Sequence, residues 1–485
     1  MKPTTESGNR IRTLAFTGMT IAALAACGGG GGSGGSGGFT GSVGDDSLTL
    51  IMFSAADGAN GVEPWISDGT TDGTELLMDI NGSGGSSNPE GFTRIGDRIV
   101  FTAETAADGR ELWVTDGTAA NTQMVKDINP GGDGVDAGQA FPVVNGYAYF
   151  RGNDPNDGGE ELWRTDGTAA GTELVSDIRP GDNVASNPRN MVAFDGEVFF
   201  AASSGNGADT ELWKSDGSDS GTQLMLNINS SGDSLPRHFT VANGSLYFTA
   251  TNGATNNGRE LWITDGTATG TQMVEDINAG TGDANIDGIV PFGQGVAFFA
   301  DDGPSGIELW TSDGLGATRV GDLDAGSDDF AQDGFVPFAH DGTLYFAADD
   351  AGTDWELWTS DGSAANTDLL RELNTSGFAL TTTGDDFTVL DDVLYFSAQN
   401  GSDGFELYRT DGLFGGTVQV KDIRANSQSG SPQDMVVFDG SLIFSANDGT
   451  GRELRISDGT ENGTEKLKEI NNSGDAGVDN IVAFE

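Results

Sequence analysis

Glu161-Leu162-Trp163-Arg164-Thr165-Asp166-Gly167-Thr168-Ala169-Ala170-Gly171-Thr172 is followed by a second apolar run, Glu173-Leu174-Val175-Ser176-Asp177-Ile178. Variants of this phrase recur along almost the whole chain. Their leading glutamates are Glu63, Glu111, Glu161, Glu211, Glu260, Glu308, Glu356, Glu406 and Glu453, spaced 47 to 50 residues apart. A fixed period of this length marks a repeat architecture. Within each unit, Glu-Leu-Trp-x-Thr/Ser suits a strand, and Asp-Gly-Thr supplies a turn: the Asp carboxylate bonds nearby backbone and the Gly accepts positive φ. A turn used nine times is more common than a ligand site used nine times, so the DGT phrase reads as folding information.

Two further strands precede each phrase, as in Met191-Val192-Ala193-Phe194 and Val198-Phe199-Phe200-Ala201, joined by Asp195-Gly196. Asn243-Gly244, Asp341-Gly342 and Asp439-Gly440 repeat that hairpin signal. The second strand is apolar at consecutive positions, as expected when both faces of a sheet are covered. Each unit is therefore a four-stranded antiparallel meander, A-B-C-D, packed between neighbours. The fold class is all-β, a β-propeller of nine repeats, with an eight-bladed ring carrying one decayed unit as the alternative. The first recognisable strand, Leu48–Phe53, is a B strand, and the last, Asn480–Phe484, is an A strand. Pairing of these N- and C-terminal strands would close the ring and protect both edges. Pro64, Tyr408 and Arg455 are departures from the phrase. Seven of the eight Trp residues occupy its third position, where filling the gap between blades is a better use than a platform for sugars.

The front of the chain has a different character. Lys2, Arg10 and Arg12 precede a short apolar core ending in Leu24-Ala25-Ala26-Cys27. This resembles the lipobox of bacterial lipoproteins, which implies residues 1–26 as signal peptide and a lipid on Cys27, the single cysteine. Gly28 after it implies, by the same resemblance, an outer-membrane or cell-surface address. Residues 27–46 form the lipidated Cys and a Gly/Ser-rich tether, and residues 47–485 the propeller. The formal net charge of -52 repels phosphate backbones, so nucleic acid is excluded as a partner. The expected state is a monomer held to a membrane through its lipid.

The nine phrases also resemble the bacterial ELWxxDGT repeat, sometimes described as hyalin-like, best seen in Glu111–Thr118, Glu161–Thr168 and Glu260–Thr267. The resemblance implies a secreted or surface repeat protein and brings no catalytic residues with it.

No serine-hydrolase elbow, zinc-protease or P-loop pattern occurs, and His238 and His340 lie two units apart. The expectation is a non-enzymatic binding scaffold for a protein or glycan partner. A tethered carbohydrate-active enzyme and a calcium-dependent structural or adhesion protein are the alternatives. Asp283-Ala284-Asn285-Ile286-Asp287-Gly288 opens like a calcium loop, which makes Asp283, Asn285 and Asp287 candidate Ca²⁺ ligands. The glutamate that would close such a loop is missing, since Gln294 stands there.

Overall fold

The computed structural model describes residues 48–485, apart from residues 139, 156–158, 182–183, 206–208, 254–257, 322, 324–329, 332–334, 350–354, 376 and 381–386. The segment expected to be signal peptide, Cys27 and the expected tether lie outside the described residues. The rest forms nine four-stranded antiparallel sheets arranged as a nine-bladed propeller.

Blade 1 takes its A strand from the end of the chain. Asp479–Phe484 pairs with Leu50–Ala56, in register Leu50↔Phe484, Ile51↔Ala483 and Met52↔Val482. The ring is closed as the chain ends predict, and Leu50–Ala56 is paired on both sides. In the other eight blades the four strands follow one another in sequence. The A strands of adjacent blades touch each other, so they form the inner wall and the D strands the outer.

The A–B hairpins close through pairs of residues with positive φ: Asp195 and Gly196 at 50° and 77°, Asn243 and Gly244 at 47° and 75°. This is the type I′ geometry whose twist matches the strands it joins. The C–D turns obey the DGT phrase. Asp166 Oδ1 accepts from the Thr168 amide (2.9 Å) and its hydroxyl (2.6 Å), and Gly167 sits at φ +82°. Gly171 lies against the same carboxylate, where a Cβ would fall 2.2 Å from Asp166 Oδ1. In blade 2, Asn121 replaces that glycine and donates its own amide to Asp116 Oδ2 (2.6 Å). The phrase is thus a self-contained carboxylate turn.

Burial is greatest between blades. Trp113 of blade 2 packs with Leu50, Met52 and Phe101, and Trp65 of blade 1 with Phe438, Ile443 and Leu454 of blade 9. All seven phrase tryptophans are only 3–9% exposed. Burying an indole of this size stabilises each seam by about 2–3 kcal/mol. In blade 9, Arg455 takes the Trp place and needs Asp448 (Nη2 to Oδ2, 2.9 Å) as a counter-ion.

Candidate functional site

The leading glutamate of the phrase has a role its spacing does not reveal. All nine are buried, at most 6% exposed. Each accepts a backbone amide from the end of its own blade, seventeen residues along in eight blades and fifteen (Leu323) in blade 6. In several it also reaches the entry of the next blade. Glu161 accepts from the Ile178 amide (3.0 Å), the Ser186 amide (2.8 Å) and the Ser186 hydroxyl (2.6 Å). Glu63 holds Ser87, Glu211 holds Ser234 and Glu406 holds Gly430 in the same manner. Buried donors left unpaired are costly, so this carboxyl is a staple for the D-to-A crossover. Burial pushes Glu111, Glu211 and Glu406 up to about 7 and Glu260 up to about 8. Glu260 has a thin set of donors among the described residues: the Ile277 amide reaches Oε2 (2.8 Å), Oε1 is buried without a partner there, and Ala284 stands where blades 3 and 4 supply a serine to theirs.

The regularity breaks at blade 3. Its A strand is reduced to Val143–Val144, the shortest of the nine, against three residues in blades 7 and 8, four in blade 6 and six in blades 1, 2, 4, 5 and 9. Pro142 has no N–H to donate, and the ladder stops there, although its carbonyl still accepts from the Tyr149 amide (3.0 Å). The shortened strand leaves a cavity of about 450 Å³ walled by Phe141, Pro142, Pro188, Met191, Arg151 and Arg189, among others. A second cavity of about 310 Å³ adjoins it, lined by Arg189, Asn190, Leu235, Pro236, Arg237 and Arg259. Arg189 and Asn190 belong to both. Together they form a groove across blades 3, 4 and 5, on the rim where strands A and C begin.

This groove is basic in an acidic chain. Three of the six residues lining the smaller cavity are arginines, whereas the whole sequence has 23 Lys and Arg against 75 Asp and Glu. Arg189 and Arg237 occupy the same repeat position, the first residue of strand A opposite Ala201 and Thr249. That position is Glu90 in blade 2, Gln433 in blade 9 and Asp479 in blade 1. The next residue takes positive φ in all of them, Asn190 at 54° and His238 at 56° included. Asn190 Nδ2 donates to the Pro236 carbonyl (3.1 Å), tying blade 4 to blade 5. Arg259 is 8% exposed, and its Nη1 donates to the carbonyls of Leu235 (2.8 Å) and Thr249 (3.4 Å). Burial, with Arg237 nearby, pulls its guanidinium down to about 10. Arg237 Nε is buried with no partner, and its one carboxylate, Asp287, is 4.0 Å away.

The three candidate calcium ligands each make a separate contact. Asp283 Oδ1 accepts the Arg259 amide (2.7 Å), Asn285 Nδ2 donates to Asp301 (3.3 Å), and Asp287 faces Arg237. Asp133, Asp233 and Asp475 repeat the task of Asp283 in other blades, so its presence is a feature of the repeat. No group of three His, Cys, Asp or Glu side chains suited to a metal ion occurs among the described residues. His238 lies beside Thr249 (3.5 Å), and burial holds its imidazole down to about 4; His340 is separately placed, 3.9 Å from Asp392. The groove itself was missed by reading the sequence. Its one available signal was arginine at the same place in two consecutive repeats.

No family model and no curated protein matches the chain. Among solved structures it is similar to a puromycin hydrolase, at 16% identity over 76% of this chain and 59% of that one, with a TM-score of 0.38. A Mycobacterium tuberculosis puromycin-hydrolyzing peptidase is similar at 14% identity over 76% and 58%, TM-score 0.39. The β-propeller domain of the trilobed protease from Pyrococcus furiosus, described as having an open velcro topology, is similar at 13% identity over 69% and 96%, TM-score 0.35. The chain spans less than two thirds of the length of the puromycin-hydrolysing proteins it resembles. These findings correct the expectation of a non-enzymatic protein- or glycan-binding scaffold, because the similar structures are of peptidases. The likeness gives this chain no role of its own, and the nine-bladed propeller is shown by its own strand pairing.

Proposed function

We propose that the chain captures a small molecule in the groove across blades 3 to 5. The observation that carries this reading is the interruption of strand A at Pro142, beside a cavity of about 450 Å³ with an apolar wall. That volume, with an apolar wall and a few polar groups, is typical of small-ligand sites. Met191 stands on the wall. Ligand-observed NMR with a fragment library against the full chain, and against Met191→Trp, tests it. Hits on the parent that vanish when Trp fills the cavity support capture; hits indifferent to the substitution, or none, refute it.

The cellular address belongs to the same proposal. Leu24-Ala25-Ala26-Cys27 supports lipid attachment at Cys27 and an extracytoplasmic body on a Gly/Ser tether. Expressed in a bacterium, the chain is expected in the membrane fraction, and Cys27→Ser in the soluble fraction. Equal partitioning of the two would reject the anchor.

A further inference from the structure

We propose that the smaller cavity is an oxyanion subsite, and that the ligand of the groove is an organic carboxylate whose apolar body rests on the wall of the larger cavity. This rests on the capture reading above and names its ligand class. Three guanidiniums meet at one cavity: Arg189 and Arg237 from equivalent positions of adjacent blades, and Arg259 beneath them. Their charge is poorly balanced. Arg259 is bonded to backbone carbonyls, Arg237 has one carboxylate at 4.0 Å and a buried Nε without a partner, and exposed Arg189 has no ion pair or side-chain hydrogen bond among the described residues.

Leaving cations unpaired is unusual when acids outnumber bases 75 to 23. Blade 2 displays the balanced version. There Arg110 occupies the place of Arg259 and makes equivalent contacts, to the Asn88 carbonyl (2.8 Å) and Thr102 (3.2 Å). It also meets Glu104 at 3.6 Å, and Glu90 replaces Arg237. In blade 5 the residue matching Glu104 is Thr251. Both acids are therefore gone from blade 5, whose Arg237 and Arg259 line the cavity together with Arg189 of blade 4. Guanidinium forks match carboxylate oxygens in shape and charge, so a bound carboxylate supplies the missing counter-ion. The continuation of the groove past Arg189 toward Phe141, Pro142, Pro188 and Met191 assigns an apolar body to that anion.

The test is titration calorimetry on the full chain with three probes: 4-phenylbutyrate, its neutral amide, and inorganic phosphate. The expected result is binding of the carboxylate at least about tenfold tighter than the amide, with Arg189→Gln and Arg237→Gln each weakening it about tenfold. Arg189 is exposed and makes no side-chain hydrogen bond or ion pair among the described residues, so its replacement is expected to leave folding intact. Carboxylate and amide binding alike, both abolished by Met191→Trp, would overturn the anion subsite while leaving small-molecule capture standing. No binding of any probe, together with an empty fragment screen, would remove both. Phosphate binding as tightly as phenylbutyrate would overturn the organic class in favour of a bare oxyanion site.

Discussion

Blades 2 and 5 carry the same Arg-Glu pair at the start of strand C, Arg110-Glu111 and Arg259-Glu260, and treat it differently. In blade 2 both charges are served. Arg110 has Glu104, and Glu111 accepts the Ile128 and Asn129 amides at 3.0 and 3.1 Å. In blade 5 Arg259 sits beside another arginine, and one oxygen of Glu260 is buried without a partner. A repeat protein solves its folding problem once and copies the answer. In blade 5 the same two adjacent residues are less well served, next to a cavity, and on the proposed reading that arrangement trades stability for binding.

The largest test of that contrast exchanges carboxyl for carboxamide. Glu161→Gln in blade 3 turns an NH₂ group toward amide and hydroxyl donors that the carboxylate now satisfies, and is expected to destabilise by about 2 kcal/mol. Glu260→Gln keeps an acceptor for the Ile277 amide and replaces a carboxyl whose charged form burial disfavours, so it is expected to be neutral or stabilising. Chemical denaturation of the two variants measures the difference. Equal losses would mean that blade 5 is as well satisfied as its neighbours.

A smaller effect is expected from pH. The staple glutamates have folded values raised above the ordinary 4.5, to about 7 in blades 2, 4 and 8 and about 8 in blade 5. The folded state thus binds more protons than the unfolded chain between about 4.5 and 8. Their stabilising contribution is complete below the unfolded value and is lost as pH rises through 7 to 8. The turn aspartates act in the opposite sense. Hydrogen bonds from Ser218, Thr267 and Thr460 hold Asp216, Asp265 and Asp458 below 3.8, and that contribution is lost only as pH falls through their lowered values. The melting temperature should rise by a few degrees from pH 8 to pH 5, and scanning calorimetry would reveal it. Repulsion within an acidic surface changes in the same direction, so the discriminating measurement is the slope in Glu260→Gln. A slope as steep as the parent's would assign the effect to the surface.

What could be read from the sequence was whatever each repeat accomplishes alone. The Asp195-Gly196 and Asn243-Gly244 turns, the Trp113 and Trp163 seams and the closure of Leu50–Ala56 against Asp479–Phe484 rest on local chemistry or on counting strands. The staple was hidden because Glu161 meets Ile178 and Ser186, seventeen and twenty-five residues away and across the junction with the next blade. Asp283 shows the same separation between spacing and surroundings. Its spacing to Asn285 and Asp287 is that of a cation loop, while its hydrogen-bond partner in space is the Arg259 amide of strand C, and Asp287 stands 4.0 Å from Arg237. The groove needed Arg151, Arg189, Arg237 and Arg259 from three blades, a convergence that no window along the chain contains.

The smallest expected effect is the most direct, because it rewrites blade 5 as blade 2. Arg237→Glu places an acid where Glu90 stands and beside the buried Arg259. Arg237 is partly exposed, with 43% of its side chain accessible, so solvent screens the new pair and the gain should be modest, about 0.5–1 kcal/mol. The sign carries the information. If unpaired arginines in blade 5 are ordinary drift, replacing one by glutamate beside Asp287 merely moves repulsion from one pair to another and stability does not rise. If they are held apart for an anion, the variant becomes more stable and loses phenylbutyrate binding together. Stability and binding moving in opposite directions is the signature of a site kept at the expense of its fold, and a variant that gains neither stability nor loses ligand would return blade 5 to the rank of any other repeat.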